Sequence, residues 1–87
     1  MARYDIGTLE MATMAERQPN PEGLFQLGIQ NADGESADLV AAHKWFNLAA
    51  LRGYEDAAWH RQQIAEDMTA AEIAAAQRAA REWLRTH

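Results

Sequence analysis

Asp38-Leu39-Val40-Ala41-Ala42-His43-Lys44-Trp45-Phe46-Asn47-Leu48-Ala49-Ala50-Leu51-Arg52-Gly53 decides the fold of this chain. Leu39, Ala42, Trp45, Phe46, Ala49, Ala50 and Gly53 fall three and four residues apart, the spacing that gathers side chains on one face of an α-helix. His43, Lys44, Asn47 and Arg52 fall largely off that stripe. The alanine pairs let a neighbouring helix come close, and Trp45 and Phe46 fill the volume beside them. The run begins near Ser36 or Asp38, residue types that cap helix N-termini. It stops at Arg52, where Gly53 supplies the left-handed residue that ends many helices. The spacing predicts a helix ending at Arg52 with a buried apolar seam.

The same punctuation extends outward. A helix is expected over 8–17, halted by Gln18-Pro19-Asn20-Pro21. Asn20 as N-cap and Pro21 at the first helical position open a second helix that ends near Asn31, before Ala32-Asp33-Gly34. Beyond Gly53, a helix over 54–68 carries a weaker stripe of Ala57, Ala58, Ile64, Ala65 and Met68. Thr69-Ala70-Ala71-Glu72 forms a capping box, which opens a last helix running to about Arg85. Its stripe is Ile73, Ala76, Ala80, Trp83 and Leu84, with Trp83 expected to pack against the helix over 54–68. Short connections imply that consecutive helices are antiparallel neighbours.

Composition agrees with an all-α chain. Of 87 residues 19 are alanine, one is valine and four are isoleucine, too few β-branched residues for a sandwich or barrel. There is no cysteine, which excludes disulfides, a thiol nucleophile and a thiolate metal site. No apolar run approaches a membrane span, and the N-terminus has no secretory pattern, so a cytoplasmic location is expected. Net charge is −5, with seven of the thirteen acidic residues but only two of the eight basic ones in residues 1–40. That balance argues against a nucleic-acid partner. Arg78, Arg81 and Arg85 share one face near a helix C-terminus, where they suit the helix dipole.

A shift of 34 residues lays Phe25 on Trp59, Gln30 on Ile64, Pro19 on Gly53, and Met11, Ala12 and Ala15 on Trp45, Phe46 and Ala49. A helix–turn–helix period of that length belongs to α-solenoids. The tetratricopeptide offsets counted from Leu27-Gly28 land on Val40, Lys44 and Asn47, a poor fit. Leu27-Gly28, Gly34, Asp38, Ala42, Trp45, Phe46, Ala49, Ala50 and Gly53 instead resemble the Sel-one-like repeat family, whose second helix reads Asp-x-x-x-Ala-x-x-Trp-[Phe/Tyr]-x-x-Ala-Ala-x-x-Gly. The resemblance covers residues 23–58. It departs at a shorter loop between Gly34 and Asp38, at Asn31, where an aromatic is common, and at Gly23, where alanine is common.

The resemblance implies a right-handed α–α superhelix of about five antiparallel helices. Residues 8–18 would be an N-terminal capping helix, 20–53 a full repeat, 54–68 a half repeat and 69–87 a C-terminal capping helix. Met1 and the self-capped tail suggest a whole chain. It further implies a non-catalytic adaptor whose groove, lined by the first helix of each repeat, docks a protein or peptide. Gln26, Gln30, Tyr54, Trp59 and Gln63 are the contact candidates, and the acidic surface favours a basic partner.

Trp59 has two readings: the family pattern packs an aromatic there, as at Phe25, whereas its neighbours Gln62, Gln63 and Glu66 suit an interface anchor. Likewise Ile6, Leu9, Met11 and Met14 read either as a cap or as an adaptable surface for a partner.

No catalytic, metal or cofactor site is expected. His43, His60 and His87 are scattered and read as solvated or helix-edge residues, with Asp56 the one carboxylate at helical spacing from His60. Ser36 is the sole serine and suits a turn or cap. Glu55-Asp56 suits a helix N-terminus. A structural homodimer is the alternative, and a small ligand binder or enzyme a second one.

Overall fold

The computed structural model describes residues 20–87, and all four helices there are built where the local sequence signals place them. The helix expected over 8–17, with the cap-or-surface question at Ile6, Leu9, Met11 and Met14, lies outside the described residues. Helix α1 spans Pro21–Ala32, α2 Leu39–Leu51, α3 Glu55–Ala65 and α4 Ala70–Thr86. Among the described residues there is no strand, and no helix is long and apolar enough to cross a membrane.

Three of the four starts have a side-chain cap, and α3, which begins after Tyr54, has none. The Gly23 amide donates to Asn20 Oδ1 at 2.7 Å, with Pro21 at the first turn. The Ala41 amide donates to Asp38 Oδ1 at 3.0 Å. At α4 the capping box is complete: the Glu72 amide donates to Thr69 Oγ1 at 3.1 Å, and the Thr69 amide donates to Glu72 Oε1 at 2.8 Å.

The stops are equally local. Gly53, at φ +99°, ends α2 in a Schellman motif, in which the Tyr54 amide donates to Ala49 O at 3.0 Å and the Gly53 amide to Ala50 O at 3.1 Å. Helix α3 ends at Ala65, three residues before its expected end, because the amides of Glu66, Asp67 and Met68 turn back to carbonyls three residues earlier. The short turn between α1 and α2 closes through the Asp38 amide on Asn31 O at 2.8 Å. Asn31 Nδ2 donates to Leu27 O at 2.8 Å, which occupies the amide where the repeat pattern has an aromatic.

Helix α2 is the centre of the fold, and α1, α3 and α4 each pack along it. Leu24, Phe25, Ala42, Phe46, Leu48, Ala49, Ala57 and Ala80 form the core. The seam expected from residues 38–53 is there: Ala42, Phe46 and Ala49 are buried, with Trp45 and Ala50 packed half-buried at its edge. Gly28 is required at this seam, since a Cβ there would lie 2.5 Å from two atoms of the Phe46 ring.

Three packing expectations need correction. His43, expected off the stripe as a solvated or helix-edge residue, is buried, and so is Leu48, with three helices packed along α2. Trp83, expected to pack against α3, packs edge-on against Trp45 of α2, ring centroids 6.0 Å apart. Among the described residues α4 accordingly takes α2, not its chain neighbour α3, as its main support.

Candidate functional site

Two regions carry chemistry that the core does not consume. The first is an aromatic ladder between α1 and α3. Tyr54 stacks on Phe25 at 4.5 Å, Phe25 meets His60 edge-on at 4.9 Å, and His60 meets Trp59 edge-on at 5.1 Å. Phe46 closes on Phe25 and His60 from α2. His60, expected as a solvated or helix-edge residue, is half-buried and packs as a ring within the ladder.

The outer rung differs from the rest. Phe25 is 9% exposed, whereas Trp59, its counterpart one repeat on, is 62% exposed. The core reading of Trp59 is thus overturned: His60 and Phe25 fill the contact with α1, and Trp59 projects from the side. Its neighbours on the α3 surface, three, four and seven residues away, are Glu55, Asp56, Gln62, Gln63 and Glu66, all exposed and none basic. The one ion pair among the described residues is Glu82–Arg85, so those three carboxylates have no cation within 4 Å there.

The other contact candidates divide in two. Gln26 and Gln30 are exposed one turn apart on α1, and Gln63 is exposed on α3, one turn beyond Trp59. None of their side chains is hydrogen-bonded among the described residues. Tyr54 is half-buried, its ring stacked on Phe25, so it props the start of α3. The structure joins Tyr54 to Trp59 through the ladder.

The second region was not anticipated. A cleft of about 460 Å³ opens between α2, α3 and α4, lined by His43, Asn47, Arg61, Gln62, Ala65, Ile73 and Gln77. Arg61 Nη1 donates to Asn47 Oδ1 at 2.6 Å, which anchors a half-buried guanidinium. His43 is 4% exposed and its Nδ1 has no hydrogen-bond partner among the described residues, an arrangement uncommon for buried polar atoms. Burial and, secondarily, the Arg61 charge hold the His43 imidazole below its ordinary value of 6.5. Beside it, burial lowers the Lys44 ammonium below its ordinary value, and that group lies 4.1 Å from the Trp45 ring centroid. His43 and Asn47 stand four residues apart on α2, on one face of the helix. The partners from α3 and α4 come from non-local packing that no spacing shows.

Among the described residues no three His, Asp or Glu side chains converge as a metal site. No family model, curated protein or solved structure matches this chain.

Proposed function

We propose that this chain is a non-catalytic protein-interaction module, built as a short right-handed α–α superhelix of the Sel-one-like kind, that docks a partner with a basic surface on the Trp59 face of α3. The observation that carries this reading is the 62% exposure of Trp59 beside His60. An exposed indole braced from behind loses little side-chain freedom on binding, and tryptophan is prominent among interface hot spots. Glu55, Asp56 and Glu66 set the sign of the partner, because their negative field speeds encounter with a basic surface and disfavours an acidic one. Gln63 offers a side-chain amide within the same patch. Gln26 and Gln30 extend the surface onto α1 if the partner spans both helices.

The test is site-specific crosslinking from position 63 in the native cell, followed by binding of the purified partner. Trp59→Ala should abolish capture while helicity by circular dichroism is unchanged, and added salt should weaken the wild-type complex. Equal capture by Trp59→Ala would overturn the proposal. Sedimentation at several protein concentrations gives an independent check: self-association lost in Trp59→Ala would assign the face to a second copy of the chain instead.

A further inference from the structure

We propose that the cleft between α2, α3 and α4 binds a small organic carboxylate, with its head on Arg61 and the surrounding amides and its apolar body on Ile73 and Ala65. This site adjoins the Trp59 face at Gln62, but the proposal does not depend on the docking reading.

The donor inventory points to an oxyanion. Arg61 is half-buried, and no carboxylate lies within 4 Å of it among the described residues. One of its N–H groups goes to Asn47 Oδ1 at 2.6 Å, and the rest of its fork has no hydrogen-bond partner among the described residues. Because Oδ1 of Asn47 is taken up by the guanidinium, the amide of that residue has its NH₂ to offer. Gln62 and Gln77 add further amides at the exposed rim, and among the described residues no acidic one lines the cleft. In a chain of net charge −5, a cleft whose described lining holds one guanidinium, three amides and no carboxylate is locally selective for negative charge.

Two further features narrow the class. The cleft's volume of about 460 Å³ lies in the range of small-molecule sites. Ile73 and Ala65 make part of its wall apolar, which favours a ligand with a short hydrocarbon body over a bare inorganic ion. His43, a buried imidazole whose Nδ1 has no hydrogen-bond partner among the described residues, belongs to the same wall.

The experiment is titration of the full chain with butyrate, n-butylamine and inorganic phosphate, followed by NMR. Butyrate should give saturable shifts at the side-chain amides of Asn47, Gln62 and Gln77 and at the His43 ring. Butylamine should give none there, and phosphate should bind more weakly than butyrate. Arg61→Gln should weaken butyrate binding by about tenfold or more, the loss expected for a charge-assisted hydrogen bond. Gln62→Glu changes an exposed residue, so it keeps the fold and should weaken binding similarly by adding a like charge at the rim. Trp59→Ala should bind butyrate as the wild type does, which separates this site from the docking face. Absence of saturable shifts, equal affinity in Gln62→Glu, or butylamine binding at the same residues would overturn the proposal. Phosphate binding as tightly as butyrate would overturn the assignment of an apolar body.

Discussion

Gly28 shows how much one missing methyl can decide. It sits in α1 where the Phe46 ring crosses, and a Cβ would lie 2.5 Å from that ring. Gly28→Ala gains about 1 kcal/mol of helix propensity. It loses more to overpacking, which costs about 1–3 kcal/mol in a tight core. The expected result is a net loss of about 1 kcal/mol, read as a lower urea midpoint. A second residue-scale effect comes from His43. Its imidazole is held below 6.5 in the folded chain, by burial first and by Arg61 on α3 second, while Ile73 and Gln77 on α4 bring no charge to the cleft wall. The unfolded chain therefore binds a proton that the folded chain resists, and stability falls as pH drops through about 6.5 toward the folded value. Denaturation at about pH 5.5 and 7.5 should show a larger acid loss in the wild type than in His43→Gln. Gly28 was legible as part of a Leu-Gly motif. His43 was not, because a stripe drawn for a single contact face leaves it on the outside.

At the scale of the element, the readable signals were the caps. Asn20-Pro21, Asp38, Gly53 and Thr69-Glu72 all act through hydrogen bonds spanning a few residues, so sequence alone locates them. Thr69→Ala removes the acceptor for the Glu72 amide and breaks the reciprocal box, at a cost of about 1 kcal/mol. The loss should appear as faster amide exchange in the first turn of α4, with Asn20-capped α1 unaffected. Trp59 was undecidable at this scale. Repeat register equates it with Phe25, but register does not say that His60 will take the place against α1. The seventeen-residue α4 was legible as a helix from its box and stripe, and its partner was not. A capping box fixes where a helix starts and carries no information about which neighbour covers it.

At the scale of the molecule, α2 is covered on three sides, which explains both the buried residues off its stripe and the placement of α4. A helix packed by several partners is buried nearly all round, so periodicity understates its core. The buried residues of α4 are the small Ala76 and Ala80, and its large aromatic contact with α2 is Trp83, edge-on to Trp45. Trp83 also stacks on His87 at 4.3 Å, which ties the last residue to the same ring. Trp83→Ala should therefore cost about 1–3 kcal/mol, less than a fully buried tryptophan because the ring is half-exposed. The loss should not be shared evenly. Helices α1, α2 and α3 keep Leu24, Phe25, Phe46 and the aromatic ladder, while α4 loses its main anchor. Hydrogen exchange on the variant should show α4 opening at lower free energy than the other three helices. Uniform acceleration across all four would mean that α4 belongs to the same cooperative unit as the core. The consequence reaches the cleft, since Ile73 and Gln77 form one of its walls. A ligand held there binds only the closed arrangement, so butyrate should slow the exchange of α4 in proportion to its occupancy.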